Sequence, residues 1–217
     1  YDLSIEPGTV FAWRQKLGEL ELLDDDLAAD IMRSTSSVLC KKGFSRYEIS
    51  NYAFPGHASR HNRVYWSGAG WWGFGQGATS APWGERFSRP RTRDRYRAWI
   101  EDQEMNGLHH SLELMTASPM GFDDQLLVGL RRREGIDFFA MAKRWGWNKD
   151  NCDVYIKSFC KFMKDSFEQG CLKREGSRFK LSDPKGMELS NQTFIKMLLW
   201  WDSLPKDAVA PSSFAKL

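Results

Sequence analysis

Cysteine is scarce in this sequence. Cys40, Cys152, Cys160 and Cys171 are the four in 217 residues, and no two of them stand two or three positions apart. That spacing excludes a tight metal knuckle or an iron–sulfur cysteine run within the chain. Disulfides are not needed by a chain long enough to bury a proper core, and three of the four cysteines sit in apolar-patterned segments, where a buried reduced thiol is the commoner state. Reduced thiols in an intracellular protein are therefore expected. Long apolar runs are missing too. The best candidate, Phe194 to Trp201, is broken by Lys196 and closed by Asp202. That is far short of the roughly 18–20 residues a helical membrane span requires. Charge of one sign is also lacking: 31 Lys and Arg against 28 Asp and Glu leave +3, which forces no nucleic-acid partner. The first residue is Tyr1, and no basic segment followed by an apolar one marks a signal peptide. An internal piece of a longer protein is expected, with any targeting segment upstream.

What is present is an ordinary folded composition, 41% apolar and 27% charged. No repeat of 20–50 residues is visible. Glycine and tryptophan concentrate in residues 43–84, whereas the chain from about 118 onward carries helical periodicity. A boundary is expected near Ser111–Pro119, with Ser118–Pro119 as hinge or helix start, dividing the chain into units 1–115 and 116–217.

The first unit reads as strand, helix, strand. Tyr1–Thr9 suggests a strand and turn. Asp24 is a credible N-cap, Leu27, Ile31, Val38 and Leu39 form an apolar face, and Gly43 is a stop signal. Phe44–Tyr52 has the look of a strand with Tyr47, Ile49 and Asn51 on one side. This alternation predicts parallel α/β architecture with chemistry at the carboxyl ends of the strands. A second helix is expected over Arg91–Gln103, then a strand near His109–Met115. In the second unit, helices are expected over Phe122–Arg133, from the Asp137 cap to Trp145, and along Ile156, Cys160, Met163 and Phe167 to Gly170. The Glu175-Gly176-Ser177 turn predicts a hairpin, and a last helix is expected over Pro184–Trp201. Helices, a hairpin and a closing helix describe a winged-helix-like module.

The chemistry-bearing residues crowd into one region. Tyr47-Glu48-Ile49-Ser50-Asn51-Tyr52-Ala53 leads to His57, then to Arg60-His61-Asn62-Arg63-Val64-Tyr65-Trp66. The loop Gly73-Phe74-Gly75-Gln76-Gly77-Ala78-Thr79 follows. Histidine is the usual protein ligand for haem or a metal, and aromatic rings beside it can pack a flat macrocycle. A lone imidazole is nevertheless more often a structural hydrogen-bonding group. The G-x-G-x-G run lacks both the dinucleotide fingerprint spacing and a phosphate-loop lysine, so tight turn and cofactor cradle stand equal. Arg86, Arg89, Arg91, Arg93, Arg95 and Arg97 put six guanidinium groups within twelve residues. A solvated basic face is the plainer reading, an anion site the sharper one.

Taken together and in order, these strings resemble the HemW-type haem chaperones, a branch of the radical S-adenosylmethionine proteins related to oxygen-independent coproporphyrinogen III oxidase. The resemblance is carried by Tyr47–Ala53, by His61-Asn62-x-x-Tyr65-Trp66 and by Gly73-Phe74-Gly75-x-Gly77-Ala78. It extends to Tyr1–Thr9, Asp24–Asp26, Leu130–Ile136 and Lys185–Asn191, and so covers nearly the whole chain. It implies the last strands of a partial radical-SAM (β/α) barrel followed by the family's helical, winged-helix-like C-terminal domain. It implies that haem is held at His61, Asn62, Tyr65 and Trp66, and that Gly75, Gly77, Ala78 and Thr79 lie near adenosylmethionine. It further implies transfer of haem to acceptor proteins, and a 4Fe–4S cluster in the parent whose C-x-x-x-C-x-x-C motif is absent from this chain. Cytoplasm is the expected compartment, with plastid or mitochondrion the eukaryotic alternatives, and homodimerisation is left open. Two other readings stand beside it. A coproporphyrinogen III oxidase keeps the family and changes the chemistry, although the His61 motif speaks against it. A winged-helix nucleic-acid module is disfavoured by near-neutral charge and by would-be recognition helices rich in packing residues such as Phe138, Met141, Ile156 and Met163.

Overall fold

Local capping chemistry sets out the first helices of the computed structural model, which describes residues 5–82, 85–107, 118–119 and 121–205. Thr9 caps α1 (Val10–Lys16), and Asp24 Oδ1 accepts the backbone N–H groups of Asp26 and Leu27 to open α2 (Asp25–Lys41). Gly43, at φ 87°, then turns the chain out of α2. Asp24 and Gly43 are the start and stop signals read from the sequence, whereas α1 and its Thr9 cap follow a segment read as strand and turn. Residues 1–4 of the expected first strand lie outside the described residues, and 7–9 turn directly into α1.

The expected single strand Phe44–Tyr52 is instead a hairpin. β1 (Ser45–Glu48) and β2 (Asn51–Ala53) run antiparallel, with an irregular register between Arg46 and Glu48. The cause is a side chain: Glu48 Oε1 accepts from the Ser50 N–H at 2.8 Å and from Asn51 Nδ2 at 2.6 Å, and this closes the turn. Among the described residues every strand pairing is antiparallel; the parallel pairing expected in the first unit involves strands at Tyr1–Thr9 and His109–Met115, of which residues 1–4 and 109–115 lie outside them. Leu27, Ile31 and Val38, expected to face inward, stay exposed because no described strand covers that face of α2.

Ser59 caps α3 (Arg60–Ser67), which stops at Gly68. After a glycine-rich loop come β3 (Thr79–Ser80), β4 (Glu85–Ser88), α4 (Arg93–Asn106) and β5 (Ser118–Pro119), the strands forming an antiparallel sheet in the order β3-β4-β5. Ser118–Pro119 is thus a strand rather than a helix start. The expected strand at His109–Met115 lies outside the described residues.

The remainder is α5 (Phe122–Leu130), β6 (Ile136–Asp137), α6 (Phe138–Trp145), α7 (Lys149–Phe162), α8 (Lys164–Glu168), β7 (Leu172–Glu175), β8 (Arg178–Leu181), α9 (Lys185–Glu188) and α10 (Ser190–Asp202). Three strands in the order β6-β8-β7, with helices inserted between β6 and β7, give the winged-helix arrangement. Two helices expected to be continuous are broken. Met163, wholly buried at φ −87° and ψ 11°, separates α7 from α8, and Leu189 separates α9 from α10. In α9, a Cβ on Gly186 would lie 1.9 Å from the Cys171 carbonyl oxygen, so only glycine fits beneath the hairpin.

Aromatic rings fill this second half. Phe138 has ring neighbours Phe122, Phe159, Phe179, Trp200 and Trp147 at 5.5–6.3 Å, mostly edge-on or tilted. Truncating Phe138 to Ala should therefore cost about 3–5 kcal/mol in chemical denaturation. Leu199→Ala, on the exposed side of α10, should change stability by less than about 0.5 kcal/mol. Similar costs for both would contradict this assignment of the core.

Candidate functional site

The Arg46–Tyr52 segment, most of it expected to deliver groups to a site, is first a joint. Its charged residues point inward: Arg46 is 2% exposed and Glu48 is fully buried. Arg46 Nε donates to the Tyr52 hydroxyl at 2.7 Å, and its Nη1 lies 3.4 Å from Asp183 Oδ1. Glu48 Oε2 lies 3.4 Å from Arg131 Nη2. The backbone adds two hydrogen bonds, Ile49 N–H to the Arg131 carbonyl and Arg133 N–H to the Tyr47 carbonyl, each 3.1 Å. The hairpin is thereby tied to the end of α5. Arg131–Arg133 follow an apolar helix, where cations also favour the helix C-terminus, and this run was the available sequence signal for the buried Glu48.

α3 stands on that joint, and its motif splits into two i,i+4 pairs. Asn62 and Trp66 make the inward pair. Asn62 Nδ2 donates to the Tyr47 hydroxyl at 3.2 Å, and the Arg131 guanidinium sits 4.5 Å from the Trp66 ring centroid. His61 and Tyr65 make the outward pair, with ring centroids 4.9 Å apart and nearly perpendicular. Tyr65 also meets Trp71, again at 4.9 Å. His61 is exposed, as is His57, which lies in the loop before α3. Val64–Trp66 is helical, and the turn puts Tyr65 on the His61 face.

The glycine loop is held as a tight turn. A Cβ on Gly73 would lie 2.2 Å from the Thr79 carbonyl oxygen, and the Gly73 N–H donates to Ser80 Oγ at 2.9 Å. Gly75 and Gly77 have φ of 90° and 71°. The Gly77 N–H donates to the Pro90 carbonyl and the Ala78 N–H to the Gly75 carbonyl, while the Ala78 carbonyl accepts the Arg89 N–H. Thr79 Oγ1 shares a 2.7 Å hydrogen bond with Ser88 Oγ. The N–H groups of Gly73, Gly77 and Ala78 are therefore engaged within the protein. Of the six arginines that follow, Arg89 is buried, donating to Ser80 Oγ at 2.7 Å and lying over Trp99; Arg86, Arg91, Arg93, Arg95 and Arg97 are exposed.

Comparison with known proteins separates family from fold. No protein-family model matches the chain. The haem chaperone HemW of Synechocystis sp. is 43% identical over 203 residues, covering 88% of this chain and 48% of that protein. The chain is HemW-like. It is also 32% identical over 150 residues to the mitochondrial radical S-adenosyl methionine domain-containing protein 1 of Danio rerio, covering 63% of this chain and 32% of that protein. The coproporphyrinogen III oxidase HemN of Escherichia coli, a radical SAM enzyme, superposes with a TM-score of 0.57 over 89% of this chain and 45% of its own. Its 13% identity makes that a likeness of fold. The HemW-like chain spans about half the length of the first of these relatives.

The family implies an iron–sulfur cluster, and the cysteines of this HemW-like chain do not fit one. Cys40 is exposed on α2, Cys160 is half-buried, and Cys152 and Cys171 are buried. Burial pushes the Cys152 thiol up to about 11, away from the thiolate a metal needs. Among the described residues no three His, Cys, Asp or Glu side chains converge as a metal site. The joint and the outward pair should respond differently to mutation. Glu48→Ala leaves the Arg131 guanidinium without its buried partner and should cost about 3 kcal/mol, read from urea unfolding. His61→Ala should stay within about 0.5 kcal/mol of the parent. A large loss at His61 would make its imidazole structural.

Proposed function

We propose that this chain carries the haem-holding face of a HemW-like haem chaperone, which binds haem and passes it to acceptor proteins. The supporting observation is the outward His61–Tyr65 pair on a helix whose inward pair, Asn62 and Trp66, is anchored. In this reading haem is cargo. The His61 imidazole supplies the iron ligand and the Tyr65 ring a wall for the macrocycle. Exposure suits cargo, because a haem that must leave is better held at a surface than enclosed in a core. The anchoring residues act through α3: they fix where the imidazole stands. The proposed compartment is the cytoplasm, and the mitochondrial name of the zebrafish relative supports that organelle as the eukaryotic counterpart.

The reading is tested by titrating haem into the chain and into two single variants, following the Soret band. His61→Ala should lose the shifted band and weaken retention by about tenfold or more, whereas His57→Ala should match the parent. Equal loss in both variants, or no loss in either, would remove haem ligation from His61.

A further inference from the structure

A cleft of about 860 Å³ opens beside the C-terminal end of α3, between Trp66–Gly68, the end of α5 and one side of α6. Its size lies within the range of small-molecule sites. Trp66 and Trp145 contribute apolar wall, and Arg132, Lys143, Arg144 and Arg178 contribute charge. Four cations face two lining carboxylates, Glu134 and Asp137, and both are already engaged. Glu134 is paired with Arg63 at 3.2 Å and with Arg132 at 3.8 Å. Asp137 caps α6 by accepting the Ala140 N–H at 3.0 Å. Lys143 and Arg144 are exposed and have no ion-pair partner among the described residues.

Two of the four cations are held in place rather than left to spread. Arg132 Nη2 donates to the Gly135 carbonyl at 3.0 Å, and Arg178 Nη1 donates to the Glu134 carbonyl at 3.1 Å. Burial pushes the Arg132 guanidinium below its usual range; Glu134 opposes this, while Arg178, Arg63 and Arg144 add to it. Like charges fixed close together at an apolar wall are strained until an anion joins them. Planar guanidinium groups match carboxylates in particular.

We infer that this cleft is a binding site for an amphipathic organic anion, a flat apolar body carrying carboxylates, separate from the His61 face. The body lies against Trp66 and Trp145, and the carboxylates meet Arg132, Arg144, Arg178 and Lys143. The site rests on the haem reading only for the choice of probe, a dicarboxylic porphyrin, and it places that ligand's acid groups at α6 rather than at the arginines before α4.

Metal-free protoporphyrin IX separates the two sites, because it has no iron for His61 to ligate. Its fluorescence anisotropy, titrated with the chain, should report saturable binding that weakens about tenfold or more in the exposed double variant Lys143→Glu/Arg144→Glu. His61→Ala should leave this binding within about twofold of the parent while abolishing the haem Soret shift. The neutral dimethyl ester of the same porphyrin should bind weakly to every variant. Binding unchanged by the charge reversal, an ester that binds as well as the acid, no saturable binding, or equal loss in His61→Ala would each overturn the cleft site. A lost Soret shift in His61→Ala would still uphold the haem reading in those cases, and a retained one would defeat that reading without touching the cleft.

Discussion

The buried carboxylate of Glu48 is the constraint on which the arrangement of this chain depends. An unpaired charge in that position would be very costly, so Glu48 must be satisfied from every side. Three partners do this. The Ser50 N–H and Asn51 Nδ2 force the chain to reverse between β1 and β2, and Arg131 brings in the end of α5. One side chain thus shapes a turn and joins segments 83 residues apart. The same Arg131 then lies over Trp66, so the position of α3 is set by the group that neutralises Glu48.

This dependence explains why His61-Asn62-x-x-Tyr65-Trp66 mixes residues with unlike jobs. Two adjacent i,i+4 pairs on one short helix face in different directions. The inward pair meets Tyr47 and Arg131, both products of the Glu48 joint. Among the described residues the outward pair's ring contacts are between its own rings and of Tyr65 with Trp71. Removing Trp66 would therefore move His61, and removing His61 would leave Trp66 where it is.

Much of the local structure was legible because capping and stop signals act within a few residues. Asp24, Asp137, Gly43 and Gly146 mark helix ends by chemistry that no tertiary contact overrides. The pairing in the first half was not legible. Phe44–Tyr52 has strand-forming composition, but its direction is decided by a carboxylate that needs its partners, and the charged Arg46 and Glu48 turn inward as well as the apolar Ile49 that the sequence placed there. The helix breaks at Met163 and Leu189 were hidden for a related reason: apolar periodicity continues across them, while the packing under β7 and β8 demands a change of direction. β6 is two residues long, too short to announce itself by alternation. Of the site, the His61–Tyr65 juxtaposition followed from spacing alone. The glycine loop did not, because spacing left turn and cradle equal; the hydrogen bonds made by Gly73, Gly77 and Ala78 describe its turn.

Charge is distributed along the same lines. Where arginines have structural work they are buried or stacked: Arg46 against Tyr52, Arg89 against Ser80 and Trp99, Arg131 against Glu48 and Trp66. Near-neutral net charge conceals this division, since +3 is spread over internal pairs and two surplus groups, one before and along α4 and the other around Arg132. The two surpluses differ physically. Arg91, Arg93, Arg95 and Arg97 are free to separate in solvent, and exposed charges so placed interact weakly. In the second group Arg132 and Arg178 are fixed by backbone carbonyls beside tryptophan, where water screens less and these two like charges must remain neighbours. An anion gains more by entering the second group than by condensing on the first, because there it replaces repulsion that the fold itself maintains.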